Sequence, residues 1–397
     1  MPPASPHPGH RQAWVDHAIW WHVYPLGFAG ADVTGADRAP TEPDFFDRLV
    51  RWLDYAVRLG VSGIALGPIF ESSSHGYDTV DHFRIDTRLG SIDGFDRLVA
   101  EAKRRGLRLL LDGVFNHVAP TFSLGSPEWQ TGEVFEGHVG LRQLDHSHPD
   151  VARHVADVMG HWLERGADGW RLDAAYAIPP QFWSRLLPEL RGRFPEAWFV
   201  GEMIHGDYAA YVTRSGLDAV TQYELWKAVW SSIGDANFFE LAWALDRHNR
   251  WLDTFVPMTF VGNHDVTRLA TRLGRRREVS VALAALLTVG GTPSVYYGDE
   301  QGFEGVKEDR VGGDDAVRPA FPLDESGLDP CGWDLYRTHQ DLIGLRRRHP
   351  WLHRARTRVV DLANRRFTYE CVDPAGGSSL MVSLDLDSDP GWSATGA

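Results

Sequence analysis

The chain predicts an α/β protein: a (β/α)8 barrel with a short excursion after strand three and a small β unit at its C-terminus. Three observations predict it. Eight short apolar runs alternate with longer segments of helical period, the pattern of a parallel sheet whose strands are joined by helices. Acidic residues close four of those runs, at spacings set by a strand–helix unit of about 30 residues. No G-x-G-x-x-G follows the first run, which disfavours a doubly wound open sheet.

In chain order, strands are expected at residues 19–26, 61–67, 107–112, 169–173, 198–202, 219–223, 256–262 and 293–297. Helices are expected at 44–59, 94–105, 150–165, 181–191, 237–249 and 279–289, with a last one around 333–348. Gly60, Gly106 and Gly166 follow basic or apolar last turns and read as C-caps. Asp112, Asp173, Glu202 and Asp265 are separated by 61, 29 and 63 residues. The middle interval is one unit, and the last is two units that include the 219–223 strand. The first is one unit too long, and the excess is 118–149, a stretch with Gly, Ser, His and Pro that reads as an excursion. All four carboxylates are then expected on one rim, where the active sites of such barrels lie. His349-Pro350 breaks the last helix. Short strands are expected beyond it at 358–362, 367–372 and 380–384, around Gly376-Gly377, in a unit too small to bury much core alone. The expected domains are a barrel over 1–348, carrying the insert 118–149, and a β domain over 349–397.

Composition narrows the function. The 397 residues are 43% hydrophobic and 24% charged, too apolar and patterned for disorder. A net charge of −14 argues against a nucleic-acid partner. Two Cys make no disulfide framework and fit a reducing compartment. Met1–His10 has no apolar core of an export signal, and no run of about 18 apolar residues exists to span a membrane. A cytoplasmic protein without membrane contact is expected. Most of the 16 Trp, Trp20, Trp21 and Trp170 among them, read as core, as does Phe260. Arg275-Arg276-Arg277 and Arg346-Arg347-Arg348 read as solvated helix faces or caps.

Four motifs end strands: Asp112-Gly-Val-Phe-Asn116-His117, Gly169-Trp-Arg171-Leu-Asp173, Val200-Gly-Glu202 and Phe260-Val-Gly-Asn263-His264-Asp265. Glycoside cleavage through an oxocarbenium-like state needs one protonated carboxyl for the leaving oxygen and one ionised carboxylate for the sugar carbon. Paired acids at strand ends supply that set. The motifs, in this order, resemble those of the α-amylase family of glycoside hydrolases, family 13. Gly67-Pro-Ile-Phe-Glu-Ser72 with Gly76-Tyr77-Asp78 resembles its strand-two region, and Gly291 to Glu300 its strand eight.

The resemblance implies Asp173 as nucleophile, Glu202 as general acid/base and Asp265 as the carboxylate that holds sugar hydroxyls. It implies Arg171 as the cation keeping Asp173 ionised, while crowding among carboxylates raises the pKa of Glu202. His117 and His264 are implied as donors to the same sugar, and Tyr77 as a stacking face. Asp78 binds a sugar end or caps its loop. Arg318, in the segment Gly312 to Pro319, is expected to reach Asp78 and close one end of the pocket. Asp112 buttresses Arg171 and Asn116. The implied activity is retaining hydrolysis of α-glucosidic bonds in malto-oligosaccharides or small α-glucosides, through a covalent glycosyl-enzyme. The alternative is an α-glucosyl transferase, a transglycosylase or phosphorylase, using the same intermediate. A non-catalytic sugar-binding relative would lack a carboxylate, and none is lacking.

No cofactor is expected. Asp145-His146-Ser147-His148 lacks zinc-ligand spacing and reads as a helix N-terminus. Many relatives hold calcium at the position of Asn116, so that residue is a ligand if calcium is bound. The excursion offers only Glu128, Glu133 and Glu136, against six to eight oxygens, and no metal site is expected. The sequence departs from endo-acting relatives after the nucleophile, where Asp173-Ala-Ala-Tyr176-Ala177 replaces their Lys-His.

Overall fold

The computed structural model describes residues 12–310 and 312–396; Met1–His10 lies outside the described residues. Eight parallel strands form the centre: β1 (Trp20–Val23), β2 (Gly63–Leu66), β3 (Arg108–Gly113), β4 (Gly169–Leu172), β5 (Trp198–Gly201), β6 (Ala219–Val220), β7 (Met258–Phe260) and β8 (Thr292–Tyr296). Neighbours from β1 to β6 pair in chain order, β7 pairs β8, and β8 pairs β1. An isolated parallel bridge between Thr221 and Met258 joins the two ends into a barrel.

Six of the strands are shorter than the apolar runs that announce them, while β3 and β8 are shifted by one residue. Where the end of a run leaves the sheet it builds the rim, so Asp173 and Glu202 lie one residue past β4 and β5. Tyr223 opens a helix (Tyr223–Gly234) instead of closing β6. At the opposite end the barrel is plugged by Trp20 and Trp198, stacked at 5.8 Å. Gly63 makes room for this plug, because a Cβ there would stand 2.4 Å from the Trp20 ring.

Local chemistry sets the surrounding helices. In Phe45–Leu59 the Asp44 carboxylate caps the N-terminus, accepting from the Asp47 amide at 2.9 Å, and Gly60 ends the helix at φ 99°. Its buried face includes Phe45, Phe46, Leu49, Trp52, Leu53 and Leu59, each large apolar side chain contributing about 1.5–3 kcal/mol. Gly106 and Gly166 likewise take positive φ just past helix ends. Pro25–Ala29, Tyr208–Ser215 and Leu269–Leu273 add helices without a strong apolar period, and Phe70–Ser72 pairs with Thr79–Ile85 as a hairpin after β2. Residues of the excursion form a small antiparallel sheet from His117–Val118, Gln130–Val134 and Arg142–Leu144.

The C-terminal residues form an antiparallel sheet of β9 (Arg356–Leu362), β10 (Arg366–Val372), β11 (Ser379–Asp385) and β12 (Gly391–Gly396). The last strand was not expected from the sequence, although Trp392 and Ala394 alternate with exposed Ser393 and Thr395 and pack against the core. Phe367, Tyr369, Cys371, Leu380, Val382 and Leu384 alternate inward and are buried. The Tyr369 hydroxyl meets Thr288 Oγ1 at 2.6 Å, at the end of the helix Arg276–Thr288. Arg346 corrects the reading of its basic run: its guanidinium is buried and donates to the carbonyls of Leu287, Val289 and Gly291, tying the last helix (Gly332–Arg348) to β8.

Candidate active site

Strand register places the central cation. Arg171 on β4 lies opposite Asp112 on β3 and Val200 on β5, and strand alternation keeps Asp173 on the same face. Arg171 Nη1 donates to Asp112 Oδ2 at 2.6 Å and to Asp173 Oδ1 at 3.4 Å, while Nη2 donates to Glu202 Oε1 at 2.5 Å. All four side chains are buried. One guanidinium therefore holds three carboxylates.

Arg171 thus pairs with Asp173 and is buttressed by Asp112, both as the sequence reading expected, with Asp112 the nearer of the two. Asp112 is its cross-strand partner, whereas Asp173 lies two residues, about 6.6 Å, further along the strand. Burial, and then the Glu202 charge, push the Asp173 pKa well up against the pull of Arg171. Burial lifts Asp112 to about 6, again opposed by Arg171. Asp173 and Asp112 are thus both raised, and Arg171 does not offset the burial of Asp173 as the sequence reading expected. Carboxyls sharing one cation take up protons as a pair, and one proton between them leaves an acid and an anion.

Glu202 is held by more than Arg171. Its Oε1 also accepts from the Tyr223 hydroxyl at 3.0 Å, and its Oε2 from the Ala174 amide at 3.1 Å. Ala174, directly after Asp173, sits in the left-handed region at φ 46°, a conformation costly for a residue with a Cβ and found where a site requires it. Asn263 Nδ2 donates to the Tyr223 oxygen at 2.8 Å. The sequence reading gave Tyr223 and Asn263 no role. Tyr223 closed a candidate strand and Asn263 stood inside a quoted motif, and those positions were the available signals.

Asp265 is the most open of these acids, its side chain 34% exposed, so a sugar hydroxyl can reach it. Arg318 Nη2 donates to its Oδ1 at 2.9 Å and Arg318 Nε to the His264 carbonyl at 2.9 Å. The expected approach of Arg318 to Asp78 is not what the structure shows. Asp78 is satisfied inside its own turn by the Ser74 amide at 3.0 Å and hydroxyl at 2.6 Å, and Arg318 pairs with Asp265 and Asp314. His264 Nε2 lies 3.1 Å from Asp265 Oδ2 and also meets the Tyr77 hydroxyl. Tyr77 donates to Asp112 Oδ2 at 3.2 Å and stacks on His264 at 5.3 Å. Below them His22 on β1 packs edge-on to His264 at 5.1 Å. Burial, then Arg171, drive its pKa down to about 3, so it is neutral. A histidine inside an apolar strand was its sequence signal.

His117 stacks on Phe135 of the excursion at 4.7 Å, and burial holds it neutral with a pKa of about 3. Across the mouth the Tyr176 hydroxyl donates to Glu136 at 2.8 Å. The donors do not fit calcium. Asn116 Oδ1 is buried without a partner, but Glu128, Glu133 and Glu136 are exposed and Glu136 is engaged by Tyr176. Among the described residues no three His, Cys, Asp or Glu side chains converge as a metal cluster.

Comparison with known proteins agrees with this geometry. A family model described as the catalytic domain of alpha amylase matches residues 23–126 and 125–357. A cyclomaltodextrinase of a Bacillus sp. is 30% identical over 85% of this chain and 67% of its own length. An intracellular maltogenic amylase of Bacillus subtilis is 28% identical over 74% of this chain and 56% of its own. The chain thus spans about two thirds or less of these curated relatives. The cyclic alpha-maltosyl-(1→6)-maltose hydrolase of Arthrobacter globiformis, in complex with its cyclic sugar, shares the fold with a TM-score of 0.83. That match has 24% identity and covers 97% of this chain and 99% of that one.

Proposed function

Since this chain belongs to the α-amylase family of glycoside hydrolases, we propose that it hydrolyses α-glucosidic bonds in short linear or cyclic malto-oligosaccharides with retention of configuration. The observation that carries the reading is the Arg171 guanidinium, which gathers Asp173 and Glu202 at one barrel mouth. Glu202 gives its proton to the glycosidic oxygen as that C–O bond breaks, and Asp173 forms a bond to the anomeric carbon. Water then attacks that carbon and passes a proton to Glu202, and the Asp173 ester breaks. Two inversions give net retention.

His264 and Arg318 hold Asp265 where it grips sugar hydroxyls, and His117 and Tyr77 complete the wall of the same subsite. The relatives named above are hydrolases, and transfer to a second sugar is not favoured. Among the described residues no helix is long and apolar enough to cross a membrane. A cytoplasmic location is supported by the unpaired Cys331 and Cys371 and by the relative named intracellular.

The test is the anomer first released from maltotriose or a cyclomaltodextrin, followed by NMR. The α anomer is expected, and a β product overturns Asp173 as nucleophile. Asp173→Asn should lower kcat by at least about 10⁴-fold, the scale of removing a nucleophile.

A further inference from the structure

The two oxygens of Glu202 are not equivalent. Oε1 receives two donors, Arg171 Nη2 at 2.5 Å and the Tyr223 hydroxyl at 3.0 Å, whereas Oε2 receives only the Ala174 amide, at 3.1 Å. The direction of the tyrosine bond is fixed by its neighbour. Asn263 Oδ1 accepts from the Asp265 amide at 2.9 Å, which identifies the other end of the side chain as nitrogen, and that nitrogen donates to the Tyr223 oxygen at 2.8 Å. An amide nitrogen only donates, so the phenol hydrogen is left for Glu202.

We propose that Tyr223, aimed by Asn263, is a positioning residue that fills Oε1 of Glu202 and thereby makes Oε2 the oxygen that carries the catalytic proton. The inference rests on Glu202 acting as the general acid/base. When the Oε2 proton passes to the leaving oxygen, the charge left on Glu202 is met by donors already in place at Oε1. Such preorganised donors lower the barrier to charge development. Burial, and then the Glu202 charge, hold the Tyr223 hydroxyl well above its usual pKa, so it remains a donor throughout the working range. The charged and titratable groups facing this pair are Arg171, Asp112, Asp173, Asp265 and Tyr176, and none of them replaces the phenol at Oε1.

Tyr223→Phe tests the relay while keeping the ring packed against Phe260 at 4.9 Å and Trp226 at 5.8 Å, and an unchanged melting temperature checks the fold. Loss of a donor to an anion should move the alkaline limb of kcat/KM upward by about one pH unit. On maltotriose kcat should fall about tenfold with KM unchanged. On 4-nitrophenyl α-maltoside, whose leaving group needs little acid assistance, the loss should be smaller. Asn263→Leu should give the same shift, and the double variant no larger one. An unmoved limb, or equal losses on both substrates, overturns the relay. Asp173→Asn, assayed alongside, separates the two levels: retained activity there overturns the glycosidase reading, while its loss beside an unmoved limb in Tyr223→Phe overturns the relay alone.

Discussion

Arg318 donates to the Asp265 carboxylate at 2.9 Å and, through Nε, to the carbonyl of the adjacent His264 at the same distance. One guanidinium therefore fixes both the backbone and the side chain of the segment that carries the sugar-gripping acid. Its own place is set by Tyr24, whose ring lies 4.7 Å away, and by Gly27, where a Cβ would stand 2.3 Å from the Arg318 carbonyl oxygen.

Arg318→Gln should accordingly lower kcat/KM by about 10- to 100-fold, the range of one lost charge-assisted hydrogen bond. Gly27→Ala should lower activity in the same sense by displacing the Arg318 backbone. Steady-state kinetics on maltotriose, with melting curves beside them, make the check. An Arg318→Gln enzyme of normal activity would show that Asp265 needs no such clamp.

Removing the central cation is a harsher change. Arg171→Met leaves Asp112, Asp173 and Glu202 buried with no counter-charge, which costs about 3–5 kcal/mol and abolishes activity. Carboxyls whose native pKa is raised bind more protons folded than unfolded, so the variant should regain stability as pH falls. Urea unfolding should find its deficit largest near pH 8 and smaller near pH 5. A deficit that does not change with pH would mean that the three acids are not coupled through Arg171.

The barrel was legible because its cause is periodic. Buried parallel strands read as apolar runs, and acids such as Asp112, Asp173 and Glu202 stand where those runs end. Pairings along neighbouring strands were legible, since Arg171 meets both Asp112 and Asp173 as expected. Pairings between loops were not, because whether Arg318 meets Asp78 or Asp265 depends on the course of loops. Asp78 caps its own turn through Ser74, one of the two roles the sequence left open. Tyr223 and His22 were hidden for a different reason: an aromatic or a histidine in an apolar run looks like core until its polar atom is seen to have a partner. Strand β12 was missed because its apolar pattern is only two residues long, Trp392 and Ala394, between the glycines at 391 and 396, and its pairing with β11 extends it.

Calcium removal should change nothing. Asn116 Oδ1 is a lone buried oxygen, and the excursion's acids face solvent or Tyr176, far short of six to eight ligands. Incubation with EDTA is expected to leave both the melting temperature and maltotriose hydrolysis as they were. A drop of several degrees that added calcium restores would overturn this.

Acid should loosen the protein at a histidine pair away from the mouth. His82 Nε2 lies 2.9 Å from the Val114 carbonyl, so it carries the hydrogen, and His82 Nδ1 must then accept from His154 Nε2 at 3.2 Å. His82 cannot gain a proton at Nδ1 without breaking this chain, and His154, which would gain its proton at Nδ1, is opposed by burial. Burial drives His82 to about 3 and His154 to about 4, whereas both take up protons near 6.5 when unfolded. The unfolded state therefore binds more protons between pH 6.5 and 4, and stability falls as pH drops through that window. Buried carboxyls such as Asp112 act in the opposite direction over part of the same range, so the pair is best read by difference. His154→Gln should be less stable than the parent at pH 7.5, but its stability should fall less steeply below pH 6.5, by roughly 2–3 kcal/mol in total at pH 4. Chemical denaturation at several pH values measures this, and parallel curves for parent and variant would show that His154 is protonated as readily folded as unfolded.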